Sequence, residues 1–166
     1  MSSIINGLVN SYQKNMEYNE RLLSDLKQDQ MAIQPPGDRE QPVNHPAWAM
    51  SHMNIYLPVI QGVIKGELFE DPKDHKFGMN SQPETDGSLY PTRDEILSEW
   101  NAGHEKVCEL LGNCDVSVFE QPVKLPRWAA IMATAGICLP YLMLNHENMH
   151  LGQISTWRRA LGLARV

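Results

Sequence analysis

The sequence has few cysteines, the residues that form disulfide bonds or bind a metal through sulfur. It contains only three cysteines, Cys108, Cys114 and Cys138, and none of them forms a CxxC pair. An odd cysteine count without a secretion signal does not indicate a disulfide framework, and a thiolate zinc site has little support. We therefore expect buried, chemically inert thiols.

Long apolar runs are also missing. Hydrophobic residues make up 42% of the 166 residues, but no run approaches the roughly 20 apolar residues that a membrane-spanning helix needs. The first six residues show no basic region followed by an apolar stretch, so we expect no signal peptide and a cytoplasmic location. The length suits a single domain over residues 1–166 with a core of its own.

Basic residues are scarce and scattered. The 14 Lys and Arg residues are outnumbered by 20 Asp and Glu residues, and the formal net charge is −6. Nucleic-acid binding depends on Lys and Arg displacing counterions from phosphates, so this composition argues against a nucleic-acid partner. The same charge argues against adsorption to an anionic membrane.

Four amphipathic segments are present instead. Apolar residues recur at three- and four-residue steps in each of them, which is the pattern of a helix with one buried face. Four such helices with long connections predict an all-α four-helix bundle, antiparallel or mixed, with long crossover connections. The predicted helices cover residues 4–28, 46–66, 92–111 and 134–161.

Local signals refine these boundaries. Pro58 predicts a kink about one turn beyond His52, and Gly66 predicts the end of the second helix. The sequence from Thr92 to Glu95 is a capping box that starts the third helix. Pro140 either kinks the fourth helix or marks its true start. The connections are the loops 29–44 and 67–91, and the segment 113–133, which is either a short hairpin or a packed loop.

Histidines on two inner faces are the most informative feature. His146 and His150 lie four residues apart, so in a helix their Cβ atoms are about 5–6 Å apart on one face. Both rings can then reach one metal ion at about 2.0–2.1 Å. His52, on the second helix, is the best candidate for a third ligand. The alternative is three core histidines satisfied by hydrogen bonds, but an unpartnered buried ring costs about 1–3 kcal/mol.

Other polar and aromatic residues flank this predicted site. Trp48 lies four residues before His52 and would line the pocket and shield it from solvent, and Gln153 continues the stripe of the fourth helix. Tyr12, on the first helix, either lines the pocket or is a boundary position. Among the other histidines, His45 is expected to be a helix cap or surface residue, and His75 is expected to be solvated. His104 lies near an inner stripe and could border a pocket.

The string His146-Glu147-Asn148-Met149-His150 also fits HExxH, the helix motif in which zinc proteases use the glutamate as general base. A third protease ligand should follow, yet no His, Glu or Asp comes after His150, and Thr156 stands where the extended motif has histidine. The protease interpretation is therefore disfavoured. Glu147 keeps three possible roles: a catalytic base, a hydrogen-bond partner of a ligand histidine, or a surface residue.

A Trp-x-x-x-His helix, a long crossover and a helix with His-x-x-x-His before Gly-Gln-Ile occur here in that order. This order resembles the DinB-like (DinB/YfiT) superfamily of bacterial four-helix-bundle metalloproteins, over essentially the whole chain. The resemblance implies a zinc, nickel, iron or manganese ion held by His52, His146 and His150, and a homodimer. It further implies a thiol transferase or isomerase that uses a low-molecular-weight thiol such as bacillithiol or mycothiol. Many relatives have arginine where this chain has Leu151, which removes a possible charged contact near the site.

Three histidines leave coordination positions open, which is the pattern of catalytic rather than structural metal sites. A metal acting as a Lewis acid can lower the pKa of bound water to about 7 and acts in the same direction on a thiol. We predict metal-assisted transfer of a thiol to a small electrophile lodged between the helices. Metal-dependent hydrolysis of a small molecule and a non-catalytic metal-binding stress protein are the alternatives.

Overall fold

A computed structural model of the protein describes residues 2–37 and 42–166. Residues 38–41, which belong to the predicted loop 29–44, lie outside this description, as does Met1. Within the two ranges the fold is all-helical, as predicted, and its only β-type pairing is an isolated bridge between Pro122 and Thr134. The helices are α1 (Ser3–Leu23), α2 (Pro46–Asn54), α3 (Leu57–Lys65), α4 (Arg93–Gly112), α5 (Pro126–Ala129), α6 (Ala135–Pro140) and α7 (Glu147–Ala160).

Helix α1 ends earlier than its apolar pattern predicts. The pattern runs to residue 28, but the helix stops at Leu23. Its last carbonyls bond to side chains from other elements: Arg158 donates to the Leu22 carbonyl at 2.7 Å, and Arg93 donates to the Leu23 carbonyl at 3.0 Å. Since a helix must leave its final carbonyls free, these two arginines cap α1 from outside its own sequence.

The second predicted helix is kinked where Pro58 indicated. It divides into α2 and α3, and Ile55 and Tyr56 form the break between them. Pro58 lies at the start of α3, where its missing N–H group costs no helical bond. Gly66 ends α3 as predicted, with φ at +65°, a left-handed conformation that favours glycine.

The capping box at the start of α4 is confirmed. The Thr92 hydroxyl accepts from the Glu95 backbone N–H at 3.3 Å, and the Glu95 carboxylate accepts from the Thr92 N–H at 2.8 Å. The segment 113–133 is a packed loop rather than a hairpin. It contains a 3₁₀ turn over Val116–Glu120 and the short helix α5.

The fourth predicted helix is continuous from α6 to α7, and Pro140 interrupts its regularity. Pro140 has no N–H to donate to the carbonyl four residues earlier. The six residues after it, Tyr141–His146, form a π-helical segment that joins α6 to α7. π-Helical segments of this kind occur frequently at functional sites, and this one ends on a predicted metal ligand.

Side-chain contacts between helices show how the helices run relative to one another. Asn15 reaches the Met143 carbonyl, and Arg158 reaches the Leu22 carbonyl, so α1 runs parallel to α7. By contrast, the ring of Tyr56 contacts that of His146, and the ring of Trp48 contacts that of His150, so α2 runs antiparallel to α7.

Helices α2 and α3 run parallel to α4. Asn54 bonds to the Ile96 carbonyl at 3.0 Å, and further along both elements Leu57 packs against Gly103. Two consecutive parallel helices need a connection that spans the bundle, and the long segment between Gly66 and Thr92 makes this crossover. The predicted bundle is therefore the mixed type. Among the described residues, no helix is both long and apolar enough to cross a membrane.

The hydrophobic interior consists of two clusters, one toward each end of the bundle. On α1, residues 5–12 belong to the first cluster and residues 22–23 to the second. On α7 and the segment before it, residues 139–143 belong to the first cluster and residues 151–157 to the second. Buried polar side chains occupy the level between the clusters on all the long helices. They are Asn15, Asn19, His52, His104, His146, Glu147 and His150.

Candidate metal centre

Three histidines from two antiparallel elements converge in this polar layer. Nε2 of His52 lies 3.1 Å from Nε2 of His146, and one nitrogen from each of His52, His146 and His150 lies within 4.8 Å of the others. Two nitrogens that are each about 2.0–2.1 Å from one tetrahedral ion are about 3.3 Å apart. The predicted convergence is confirmed, and we call these three residues the histidine cluster.

The hydrogen bonds on the far side of two rings orient their lone pairs. Nδ1 of His52 lies 2.6 Å from the Phe77 carbonyl, which can only accept, so this nitrogen carries the proton. Nδ1 of His150 donates in the same way to Oε1 of Gln153 at 2.8 Å, and that oxygen also accepts from Asn44 at 2.9 Å. Nε2 of each ring is therefore an acceptor that faces the cluster, which is the usual arrangement of metal-binding histidines.

The cluster lacks enough hydrogen-bond donors of its own. Nε2 of His150 is buried and has no hydrogen-bond partner among the described residues. The lone pair on Nε2 of His52 faces Nε2 of His146, so only a proton on that nitrogen of His146 can pair it within the cluster. Leaving a buried acceptor unpaired costs about 1–3 kcal/mol. One divalent ion would engage the lone pairs of His52 and His150, and that of His146 when its proton is on Nδ1, so the donor set fits a metal.

Burial keeps these imidazoles neutral. Burial, together with the neighbouring histidines, lowers the pKa of His146 to about 3 and that of His150 to about 4. Burial also lowers the pKa of His52, although its bond to the Phe77 carbonyl opposes that change. Metal binding requires the unprotonated ring, so protons do not compete for this site near pH 7.

A cavity of about 370 Å³ opens onto the histidine cluster. Trp48 and Gln153 both line it. The Trp48 ring stacks on that of His52 at 4.8 Å between centroids, and its Nε1 donates to Ser81 at 3.0 Å. The rest of the wall is largely apolar, and no acidic side chain of the described residues lines it. Its other lining residues are Asn44, Tyr56, Met79, Arg127, Trp128, Ile131, Met132, Tyr141, Leu142 and Met149.

Glu147 faces away from the cavity, into a second group of polar residues. Its carboxylate lies 3.1 Å from Nε2 of His104 and accepts from Asn15 at 3.1 Å. His104 also bonds the Trp100 carbonyl through Nδ1 at 2.9 Å. We call Asn15, His104 and Glu147 the glutamate cluster. Both ring nitrogens of His104 therefore have hydrogen-bond partners.

These contacts correct two sequence-based interpretations. Glu147 is only 2% exposed, so it is not a surface residue, and its bonds go to His104 and Asn15 rather than to a predicted metal ligand. Burial raises the pKa of Glu147, and the bond to His104 partly offsets this rise. A one-residue step around a helix is about 100°, so Glu147 points toward α1 and α4 while His146 points toward α2.

Tyr12 belongs to this second group too and does not line the cavity. Its ring stacks on that of His104 at 4.2 Å, and its side chain is fully buried. Burial, together with the charge of Glu147, raises its pKa well above the ordinary value. The prediction that Tyr12 lines the pocket is corrected because α1 packs against α4 and α7, whereas the cavity opens beside α2.

The remaining histidines have ordinary structural roles. His45 is the N-cap of α2, since its Nδ1 accepts from the Trp48 N–H at 3.2 Å, and its Nε2 donates to the Glu84 carbonyl at 2.9 Å. It is a cap, as expected, but it is fully buried. His75 is exposed, as predicted. His104 is completely buried in the core.

The cysteines lie outside the histidine cluster. Cys138 is fully buried, and burial raises the pKa of its thiol to about 12. Cys108 and Cys114 are half-buried, and burial raises their pKa as well. All three thiols are therefore poor sources of thiolate near pH 7.

Sequence reasoning missed several cavity residues. Arg127 and Trp128 come from the short helix α5, and Met79 comes from the crossover between α3 and α4. No periodic pattern marks these positions, because both segments are irregular. Tyr56 carried a usable signal, since it follows His52 at a four-residue step on the same helical stripe.

Comparison with known families agrees with this architecture. The model of the DinB superfamily matches residues 12–154, a range that contains all three members of the histidine cluster. The chain belongs to the DinB superfamily. No curated protein matches it. In this DinB-superfamily protein, Leu151 after the last histidine is fully buried in the hydrophobic core and brings no charge to the site.

Proposed function

We propose that this DinB-superfamily protein binds one divalent metal ion through His52, His146 and His150 and catalyses transfer of a low-molecular-weight thiol to a small electrophile. The observation that carries the proposal is the convergence of these imidazoles, two with their lone pairs directed inward, at the floor of an apolar cavity. Zinc, nickel, iron and manganese all suit such a site. A divalent ion held there supplies Lewis-acid chemistry, which lowers the pKa of a coordinated thiol.

The residues of the chain bind and orient the reactants. The histidine cluster leaves one side open toward the cavity, so that a thiol sulfur and an electrophilic carbon can meet there. Trp48, Tyr56 and Trp128 line the walls and surround the reacting atoms with apolar surface. A volume of about 370 Å³ is within the range of small-molecule sites, which favours a substrate-binding protein over a metal store.

The cavity wall favours a thiol over water as the nucleophile. Hydrolysis by the HExxH mechanism needs a carboxylate beside the metal to take a proton from water. Glu147, the only glutamate of that motif, bonds to His104 and Asn15 instead, and no acidic side chain of the described residues lines the cavity. A thiol, with an ordinary pKa of about 8–9, needs much less help from a base.

The first experiment measures bound metal. Protein purified without a histidine tag should contain close to one divalent ion per chain by mass spectrometry. His52→Ala, His146→Ala and His150→Ala should each lose it. His75→Ala is the matched control, because it removes an exposed histidine and should retain the ion. Full metal content in His52→Ala would rule out the three-histidine site.

The second experiment tests the thiol. Adding 2-mercaptoethanol to the cobalt-substituted protein should produce a sulfur-to-cobalt charge-transfer band. Transfer is then followed with 1-chloro-2,4-dinitrobenzene, where a carbon–sulfur bond forms and chloride leaves. The rate should fall to background in His52→Ala. A cobalt spectrum that does not respond to thiols would contradict thiol transfer and leave hydrolysis or a non-catalytic role.

We further propose that residues 1–166 act as one domain, and that the protein is a cytoplasmic homodimer. Ile4 on α1 and Ile137 on α6 support the dimer, since both are more than half exposed on the bundle surface. Light scattering coupled to size exclusion should give twice the chain mass of 18.8 kDa. A monomeric mass at micromolar concentration would contradict the dimer.

A further inference from the structure

Arg127 places a cation on the wall of the cavity. Its Nε and Nη2 atoms both pair with the Asp71 carboxylate, and the Nη2–Oδ1 distance is 2.6 Å. The guanidinium lies over the Trp128 ring, 5.4 Å from its centroid. This pairing and stacking hold the planar group in one orientation, so its remaining edge is preorganised.

That remaining edge lacks a strong partner. Nη1 of Arg127 contacts the Met79 sulfur at 3.8 Å, and a thioether is only a weak acceptor. Asp71 is not among the cavity-lining residues, whereas Arg127 and Met79 both are. A ligand in the cavity would therefore meet the free N–H groups of Arg127 and not the carboxylate that pairs with it.

The rest of the lining has two chemical characters. The rings of Trp48, Tyr56 and Trp128 provide flat apolar walls, and the histidine cluster provides ring nitrogens. Because no acidic group of the described residues lines the cavity, an anion bound there would contact no carboxylate directly. The two groups that attract negative charge are Arg127 and the ion that the histidines would hold.

We infer that the cavity selects a small molecule with a flat apolar body and one carboxylate, and that the carboxylate binds Nη1 of Arg127. This inference rests on the proposed function and names its substrate class. A carboxylate is planar and forms charge-assisted bonds with guanidinium N–H groups. Bound in this way, the molecule would present its other end to the histidine cluster.

The first test uses metal-free protein, so its result does not depend on the metal chemistry. Calorimetric titration compares 3-phenylpropanoate with its neutral amide, 3-phenylpropanamide. The acid should bind the wild type roughly 5- to 20-fold more tightly than the amide, as expected of a partly exposed charged hydrogen bond. Arg127→Gln should abolish this preference, while Lys124→Gln, an exposed cation outside the cavity, should retain it.

A second variant guards against a folding defect in Arg127→Gln. Asp71→Asn removes the charge that partly neutralises Arg127 but keeps an oxygen that accepts from the guanidinium, so the preference for the acid should increase above that of the wild type. Equal affinities of acid and amide for the wild type would overturn the inference. So would an Arg127→Gln variant, shown to be folded by circular dichroism, that keeps the full preference.

Experiments with the cobalt-substituted protein show whether the thiol or the electrophile carries the carboxylate. If 3-mercaptopropionate binds more tightly than 2-mercaptoethanol, and this advantage disappears in Arg127→Gln, the thiol carries it. If only the phenylpropanoate preference depends on Arg127, the electrophile carries it. Both results support the inference. If neither binding preference depends on Arg127, the inference is contradicted. Failure to load cobalt would overturn the proposed function and leave the metal-free result intact.

Discussion

His146 and Glu147 are neighbours in the chain but belong to two buried clusters of opposite character. The glutamate cluster is sealed in the core, and its side chains bond to one another and to backbone carbonyls. The histidine cluster borders a cavity, where Nε2 of His150 has no partner among the described residues and Nε2 of His52 faces only Nε2 of His146. Both clusters occupy the same polar layer, so burial alone does not separate a structural role from a ligand role.

The difference lies in how the polar atoms are satisfied. In the glutamate cluster, each residue supplies a partner for another, as buried polar groups generally require. In the histidine cluster, the outer nitrogens of His52 and His150 are bonded, while the inner nitrogens point at a common centre. This convergence of imidazole nitrogens fits a metal-binding site. We therefore predict that the glutamate cluster controls stability and that the histidine cluster controls metal affinity.

The largest expected effect is on stability, from His104→Leu. This change leaves Glu147 buried without its main partner, and breaking a buried pair costs about 3–5 kcal/mol. Urea unfolding of the metal-free variant should show this loss, while the metal content of the folded protein stays near that of the wild type. The double variant His104→Leu/Glu147→Leu should regain part of the stability. Loss of metal with unchanged stability would reverse the roles assigned to the clusters.

Acidification should destabilise the metal-free protein through the histidine cluster. The pKa values of His146 and His150 are lowered from 6.5 to about 3 and about 4, so the unfolded chain takes up protons that the folded protein does not. The free energy of unfolding should therefore fall below pH 6.5, by about 2 kcal/mol for each histidine at pH 5.

Glu147 acts in the opposite direction, because its raised pKa adds stability as the pH falls. Urea unfolding between pH 7 and pH 5 should show a net decrease in the wild type. The double variant His146→Ala/His150→Ala should lose most of that decrease. An equally strong pH dependence in this double variant would show that other groups are responsible.

His150→Ala tests whether the histidine cluster controls metal affinity. Mutating a residue that hydrogen-bonds to a metal ligand can weaken metal affinity by roughly 100-fold. Removing the ligand itself should weaken the affinity by at least as much. Competition with a chromogenic chelator measures this change. His104→Leu is the internal control and should remain within about threefold of the wild type by this criterion, since it leaves all three ligands in place. A comparable loss of metal affinity in both variants would mean that the two clusters act together as one metal site.

The smallest expected effect comes from Gln153→Ala. This change removes the acceptor that orients Nδ1 of His150 and should reduce metal affinity by about tenfold. Gln153→Glu should restore or increase the affinity, because a carboxylate is a stronger acceptor for the same N–H group. The chelator titration applies here too. Unchanged affinity in Gln153→Ala would mean that packing alone orients the His150 ring.

Several features could be predicted from the sequence because their signals are local. The spacing of His146 and His150, the Thr92 capping box and the stop at Gly66 each depend on residues within one or two helical turns. The end of α1 could not be predicted in this way. Its apolar pattern continues past Leu23, but Arg93 and Arg158, distant in sequence, take its last carbonyls.

The same limit applies at the site. Tyr12 shares the apolar stripe of α1, and the stripe shows that it is buried but not which neighbour it meets. The HExxH string places Glu147 beside a ligand in sequence, yet its position on the helix turns it toward His104. Arg127 and Trp128 lie in an irregular segment, where no periodicity indicates what a side chain faces.

The sequence by itself determined the all-helical class, most helix boundaries and the three histidines, because hydrophobic period, caps and ligand spacing are properties of short segments. Only the tertiary structure decided which buried polar groups are paired and which remain free to hold a cation. It also decided that Glu147 bonds to His104 and Asn15 in the core and that Arg127 lines the cavity. Those outcomes depend on which helix faces meet, and that choice is made by packing between residues far apart in the chain.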